Sequence, residues 1–263
     1  MSVVAIRMTV FAALFASLFA LERLFPRRPV RREGYVANLG IFFLDGVLTR
    51  LLLAVGGVAA ATYAQSKGWG LFNALDTPAW VSGVVAFLAL DFAVWAQHVV
   101  MHKVPMLWRL HEIHHADEDF DVTTGLRFHP VEIALSLLFK SVVILLLGAP
   151  VVAVIVFEIV LNGGAMFSHS NLRLSPKLDR WLRLLTVTPD MHRVHHSTDR
   201  AEANSNYGFF LPWWDRLFRT YRAQPVDGHM GMAIGVAGFR GGPRLRKLLA
   251  RPFARRAPAT PAR

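Results

Sequence analysis

The first two thirds of the chain are dominated by apolar runs long enough to cross a bilayer, at residues 3–21, about 36–64, about 79–97, 131–148 and 150–168. A helix needs roughly 20 apolar residues to span the hydrocarbon. Inside lipid every backbone N–H and C=O must find its partner within the segment, so runs of this kind fold as helices. With 54% hydrophobic side chains over 263 residues and a positive mean hydropathy, the chain is too apolar for an ordinary soluble domain. The expected fold is all-α and integral to the membrane: about three transmembrane helices plus a hydrophobic helical hairpin, capped by a cytosolic helical domain.

Details of the runs sharpen this expectation. The first is interrupted only by Arg7 and leads into Glu22-Arg23 and a basic loop, with no small-residue cleavage site, so it reads as a retained helix. The second contains Asp45 and Arg50, costly in lipid unless they face protein or water; Arg50 could pair with Asp45 or with another helix. The last two are separated by Gly148-Ala149-Pro150, a turn signal. Lys140 and Glu158 each lie nine residues from Ala149, which makes them candidates for an intramembrane ion pair. Arg23, Arg27, Arg28, Arg31 and Arg32 crowd the first loop, whereas 65–78 holds only Lys67 and Asp76. The positive-inside rule therefore puts the arginine loop, 98–130 and 169–263 in the cytoplasm and 65–78 outside. The net charge of +11 sits in loops flanking the spans and in the tail, where anionic headgroups and topology account for it, so nucleic acid is not expected as a partner.

Eight of the 11 histidines fall in three boxes: H-V-V-M-H from His98 to His102, H-E-I-H-H from His111 to His115, and H-R-V-H-H from His192 to His196. On a helix, residues at i, i+3 and i+4 share a face, so each box presents its imidazoles together. Imidazole is the commonest side-chain metal ligand, and eight exceed what a three- or four-ligand zinc site requires. The number suits two metal ions. The chain has no cysteine, hence no thiolate-held cluster, so any electrons must come from another protein.

The boxes and their surroundings resemble the fatty acid hydroxylase and sterol desaturase superfamily of membrane di-iron proteins. The likeness covers roughly residues 85–222 and includes L-W-R-L-H-E-I-H-H, R-F-H-P-V-E at 127–132, F-S-H-S-N at 167–171 and N-Y-G-x4-W-W-D-R-L-F at 206–218. Two departures stand out: Arg219 where the family usually has Gly, and Ala116 where Ser is common. The resemblance implies a di-iron domain at 85–222, between an N-terminal transmembrane region at 1–84 and a basic tail at 223–263, read from Phe239 onward as mobile and without chemistry. It implies metal ligands at His98, His102, His111, His114, His115, His192, His195 and His196, with His169 joining them from F-S-H-S-N. His129 is a weaker candidate, because Pro130 makes it equally a helix-cap residue. Carboxylates commonly orient ligating imidazoles, and Asp91, on the face of His98 but about 10 Å deeper, is a candidate for reaching another histidine or a water.

The implied activity is O2-dependent hydroxylation of a lipid C–H bond, in a fatty acyl chain, a sterol or a related molecule, with desaturation or ether-lipid oxygenation as alternatives. The implied cofactors are two iron ions, which zinc can replace on overexpression, with O2 as co-substrate. The implied partners are a lipid, the bilayer and an external electron donor such as a ferredoxin, a cytochrome b5-like protein or a reductase; the implied location is a bacterial-type inner membrane. The aromatic cluster Phe209, Phe210, Trp213, Trp214, Phe218 and Tyr221 reads as an interfacial belt. One rival comes from His111-Glu112-Ile113-His114-His115, which also satisfies the zinc-peptidase pattern H-E-x-x-H with Glu112 as general base. Against it, the third box has Arg193 at the position of Glu112 and cannot supply a base.

Overall fold

The computed structural model describes residues 3–30, 32–239 and 244–254. Arg31 of the basic loop and residues 240–243 and 255–263 of the expected tail lie outside the described residues. Helix α1 (Val3–Leu24) ends where Glu22 Oε2 accepts the backbone N–H groups of Val122 and Asn171, at 3.0 and 2.9 Å. The end of the first helix is thereby tied to the segments that follow the second box and the hairpin.

The second apolar stretch is not one helix, contrary to expectation. It divides into α2 (Tyr35–Leu51), a 3-10 turn (Leu53–Val55) and α3 (Gly57–Lys67). Tight packing accounts for the break: a Cβ on Gly57 would stand 2.6 Å from Glu158 Oε1 and 3.0 Å from Ile144 Cδ1. The carbonyl of Val55, freed by the break, accepts a hydrogen bond from Ser141 Oγ at 2.7 Å. A broken helix inside the membrane is tolerated when neighbouring side chains satisfy the released groups.

Short α4 (Leu71–Ala74) leads to α5 (Ala79–Lys103), whose 25 residues rise about 37 Å and carry the first histidine box at the C-terminal end. Helix α6 (Pro105–His115) starts with proline at its first turn and carries the second box. The hairpin follows as α7 (Pro130–Leu147) and α8 (Val151–His169), with Gly148 in the left-handed conformation between them. At this tip Gly70 approaches so closely that a Cβ on it would lie 2.1 Å from Gly148 N. The far end of the bundle is thus closed glycine on glycine, and the histidines gather at the other end.

Among the described residues four helices are long and apolar enough to cross a bilayer: Val4–Leu24, Ala79–Lys103, Pro130–Leu147 and Val151–His169. The core shared by the last three includes Leu90, Val94, Ile144, Val154 and Phe157, joined by Ala60 and Ala61 from α3 and Phe72 from α4. The ion pairs inside this region differ from those expected. Glu158 pairs with Arg7 at 2.6 Å, because α1 runs against α8 and brings the guanidinium within reach. Among the described residues no direct ion-pair contact within 4 Å joins Lys140 to Glu158, although the two charges interact, and no ion pair joins Arg50 to Asp45. Arg50 is exposed, and Asp45 Oδ1 is buried without a partner.

Beyond the hairpin the chain builds a cap of short helices: α9 (Pro176–Leu182), α10 (Pro189–His195), α11 (Arg200–Ala203), α12 (Trp213–Leu217), α13 (Gly228–Gly231) and α14 (Leu245–Ala250). Among the described residues there is no strand, only two isolated bridges. Residues 244–253 do not behave as a loose tail: Leu248 is fully buried against α2, and the turn Arg251–Phe253 packs on α6. Apolar burial of Leu248 and the ion pair of Arg251 with Glu112, 3.2 Å, hold this segment down. The basic loop is likewise held by protein. Arg27 pairs with Asp190 at 3.1 Å, and Arg28 donates to the carbonyls of His229 and Met232. Arg219, where the family's usual residue is glycine, has φ +60°. Only glycine takes that left-handed backbone without cost.

Candidate metal centre

Nine histidines converge at the end of the bundle, in two sets. One holds His98, His102, His111, His115 and His195; the other holds His114, His169, His192 and His196. In each set the candidate ligand atoms lie within 4.8 Å of one another. The H-x-x-H-H boxes are shared between them in mirrored fashion. Box two gives its i, i+4 pair, His111 and His115, to the five-histidine set and His114 to the other. Box three gives His192 and His196 to the four-histidine set and His195 to the other. A helix places i+3 and i+4 on neighbouring but distinct lines, so one box can face two sites.

Hydrogen bonds fix the rings from behind. Nδ1–H donates to the Tyr207 carbonyl from His98 (2.7 Å), to the Arg127 carbonyl from His114 (3.2 Å), to the Ala165 carbonyl from His169 (2.6 Å) and to the Ser205 carbonyl from His195 (2.7 Å). His111 Nδ1 donates to Glu132 Oε1 at 2.7 Å, with both side chains buried. A neutral imidazole that donates through Nδ1 carries a bare lone pair on Nε2. Those lone pairs face one another: Nε2 to Nε2 is 2.9 Å for His98 and His111, 3.0 Å for His98 and His195 and 3.0 Å for His114 and His169, while Nε2 of His192, whose buried Nδ1 has no partner, lies 3.1 Å from His169 Nε2. Further ring nitrogens of His102, His115 and His196 are buried with no partner. Converging, unprotonated donors with orphaned neighbours are what a bound cation satisfies, so the residues fit a metal in each set.

Electrostatics agrees. Burial, and then the neighbouring imidazoles, push His114, His115, His192, His195 and His196 well below the ordinary imidazole value. These rings are neutral at pH 7 and ready to ligate. Asp215 acts one layer out. Its carboxylate accepts from Trp95 Nε1 (3.1 Å), the backbone N–H groups of Tyr207 and Gly208 (2.9 and 2.8 Å) and Thr220 Oγ1 (2.6 Å). It thereby holds the Tyr207 carbonyl against His98.

Two sequence candidates are placed elsewhere. His129 caps α7, accepting from the N–H of Val131 at 3.1 Å, while its Nε2 meets the Leu249 carbonyl; the following proline forces it to the helix start and away from both sets. Asp91 reaches no histidine. At its depth along α5 it meets the indole of Trp214, which donates to it at 2.7 Å. The carboxylate that does orient a ligand candidate, Glu132, lies in R-F-H-P-V-E. Its position in the first turn of a helix entering beside the boxes was the available signal. Glu112 does not take the place a peptidase base would need: its Oε1 accepts from Arg251 on the outer side of α6. The aromatic cluster is more than an interfacial belt, since Trp95 stacks on Phe218 at 4.7 Å and Phe209 lies 4.9 Å from the His98 ring.

Spanning helices that end in two facing polyhistidine sets define a class, the all-helical integral membrane protein with a metal site at one end of its bundle. The chain belongs to the fatty acid hydroxylase family, whose model matches residues 83–220. It is 33% identical over 201 residues to human alkylglycerol monooxygenase, covering 74% of this chain and 43% of that protein. It is 28% identical over 262 residues to ornithine lipid hydroxylase OlsE of Rhizobium tropici, covering 94% of this chain and 76% of that protein. The chain thus spans less than half the length of the alkylglycerol monooxygenase. No solved structure matches it significantly.

Proposed function

We propose that this protein is an O2-dependent oxidoreductase that hydroxylates a C–H bond of a membrane lipid, with iron held in both histidine sets. The observation that carries the reading is the pairing of a five- and a four-histidine set whose Nε2 lone pairs converge. The nine histidines named above are the proposed ligands. Iron held there would supply the one-electron chemistry by which a C–H bond, O2, two electrons and two protons yield a hydroxylated carbon and water. The protein's part is positional. Carbonyls and Glu132 fix the ligand rings, the buried cap excludes bulk water, and α5, α7 and α8 offer the apolar surface along which a lipid chain reaches the site. The family and the similarity to an ornithine lipid hydroxylase support a lipid substrate. Oxygenation of an ether lipid by the same site is the second reading, favoured by the 33% identity to alkylglycerol monooxygenase.

The electrons come from an external carrier on the side of the histidines. We assign that side to the cytoplasm from the arginine loop; a cysteine at Ser66 should then react only with reagent added from outside. The central test combines lipid analysis of a deletion strain against its complemented counterpart with turnover of iron-loaded enzyme under ¹⁸O₂. A lipid lost on deletion and labelled with one ¹⁸O supports the proposal. Turnover that proceeds without O2 overturns it.

A further inference from the structure

Five aromatic side chains other than histidine lie against the metal centre, and they are not equivalent. Trp108 faces His102, His111 and His115, and Tyr207 faces His98, His102 and His195, all of the five-histidine set. Phe120 faces His169 and His196, both of the four-histidine set. Among the described residues, only Phe128 and Phe209 lie against both sets. Phe128 stacks on His114 at 4.3 Å with its plane 13° away, and lies 6.4 Å from His111. Phe209 is 4.9 Å from His98 and 6.4 Å from His192. The two phenylalanines are 6.4 Å apart.

Their surroundings give the side they close. Phe209 packs against the intramembrane core of α5, α7 and α8, and Gly164 of α8 admits the segment that carries it: a Cβ there would stand 3.1 Å from the Phe209 carbonyl. Phe128 stands two residues before α7, at the head of the hairpin. The opposite, cap side is sealed by Phe120 with Met232 and Ile234. Phe128 and Phe209 are half-buried, while the four histidines they touch are buried. They form the boundary between the metal sets and the membrane-facing surface.

We infer that Phe128 and Phe209 form an aromatic gate over the junction of the two histidine sets, through which a lipid chain must pass, and that their bulk selects which carbon would reach the metals held there. The inference rests on the proposed function for its substrate class. Apolar contacts discriminate chain positions modestly, about 10- to 200-fold per methylene-sized change, so altering the gate should redistribute products rather than abolish recognition. Neither ring carries a ligand atom, so metal content should not change.

The test uses full-length protein in nanodiscs with Phe128→Ala, Phe209→Ala, Phe128→Trp and Phe209→Trp. Independently of turnover, cobalt(II)-loaded protein is titrated with dodecyl hydroxamate and with acetohydroxamate, following the visible cobalt spectrum. A gate predicts that the alanine variants bind the long-chain probe about tenfold or more tightly relative to the short one, that the tryptophan variants shift the ratio the other way, and that both keep two metals per chain. With iron and a lipid that the wild type oxidises, the alanine variants should also yield new positional isomers. An unchanged probe ratio in all four variants, or loss of metal from the alanine variants, overturns the gate. If no lipid is oxidised but the probe ratio shifts as expected, the gate stands and the proposed function fails.

Discussion

Replacing Glu132 separates its role as holder of one ligand from any general contribution to folding. Its Oε1 accepts from His111 Nδ1 at 2.7 Å, and the two side chains are 7% and 1% exposed. Glu132→Ala leaves a buried imidazole N–H without an acceptor, a loss of about 1–3 kcal/mol. That corresponds to roughly a 10- to 100-fold weakening of metal affinity, the range usual for partners of this kind. His111 belongs to the five-histidine set alone, so the loss should fall there. Glu132→Gln keeps an acceptor but not its charge and should cost less. Competition titration of metal-free protein with cobalt(II) and a chelator resolves the two classes of site. The expected result is one weakened class and one unchanged. Equal weakening of both classes, or a change below twofold in either, would refute the reasoning.

Three further outcomes follow from the geometry. Glu112→Gln, whose carboxylate faces Arg251, should cost well under tenfold in turnover, whereas His114→Ala should be inactivating and lower metal content; the reverse ranking in a steady-state assay would favour a zinc hydrolase. Burial, then neighbouring Asp117, lifts the Asp121 carboxyl to about 6 from 3.8, so the folded chain holds a proton that the unfolded chain releases between these values. The charged form therefore destabilises the fold by up to roughly 3 kcal/mol above pH 6. Asp121→Asn, which keeps the acceptor for Thr123, should raise the thermal midpoint at pH 7.5, with the gain shrinking towards pH 4. Arg219→Gly should stabilise by about 1 kcal/mol by relieving a left-handed backbone, and an unchanged or lower midpoint would contradict it.

The one-dimensional patterns carried far here. Run length and the G-A-P turn delimit α7 and α8 closely, because a helix in lipid has no alternative way to satisfy its backbone, whereas α5 starts at the expected Ala79 but runs on past the apolar span to Lys103. Histidine spacing identified His98, His102 and the two H-x-x-H-H boxes as faces, since i, i+4 geometry is local. What spacing lacks is the relation between helices. It could not show that His114 parts from His111 and His115, nor that Glu132 rather than Asp91 reaches an imidazole, because both depend on how deep one helix sits beside another. The break at residues 52–56 was hidden for the same reason: it answers to Glu158 and Ser141 on the hairpin. The packing of Leu248 was masked by a composition rich in arginine and proline.

Helices α6 and α10 each feed both histidine sets, and α10 is only seven residues long. A helix that short has little persistence of its own in water. An ion held in each set would act as a rivet through three separate segments, and the cap's integrity would then depend on the supply of metal by mass action. On the proposed iron occupancy, metal starvation would loosen this short helix and lower the abundance of the protein with no dedicated sensor.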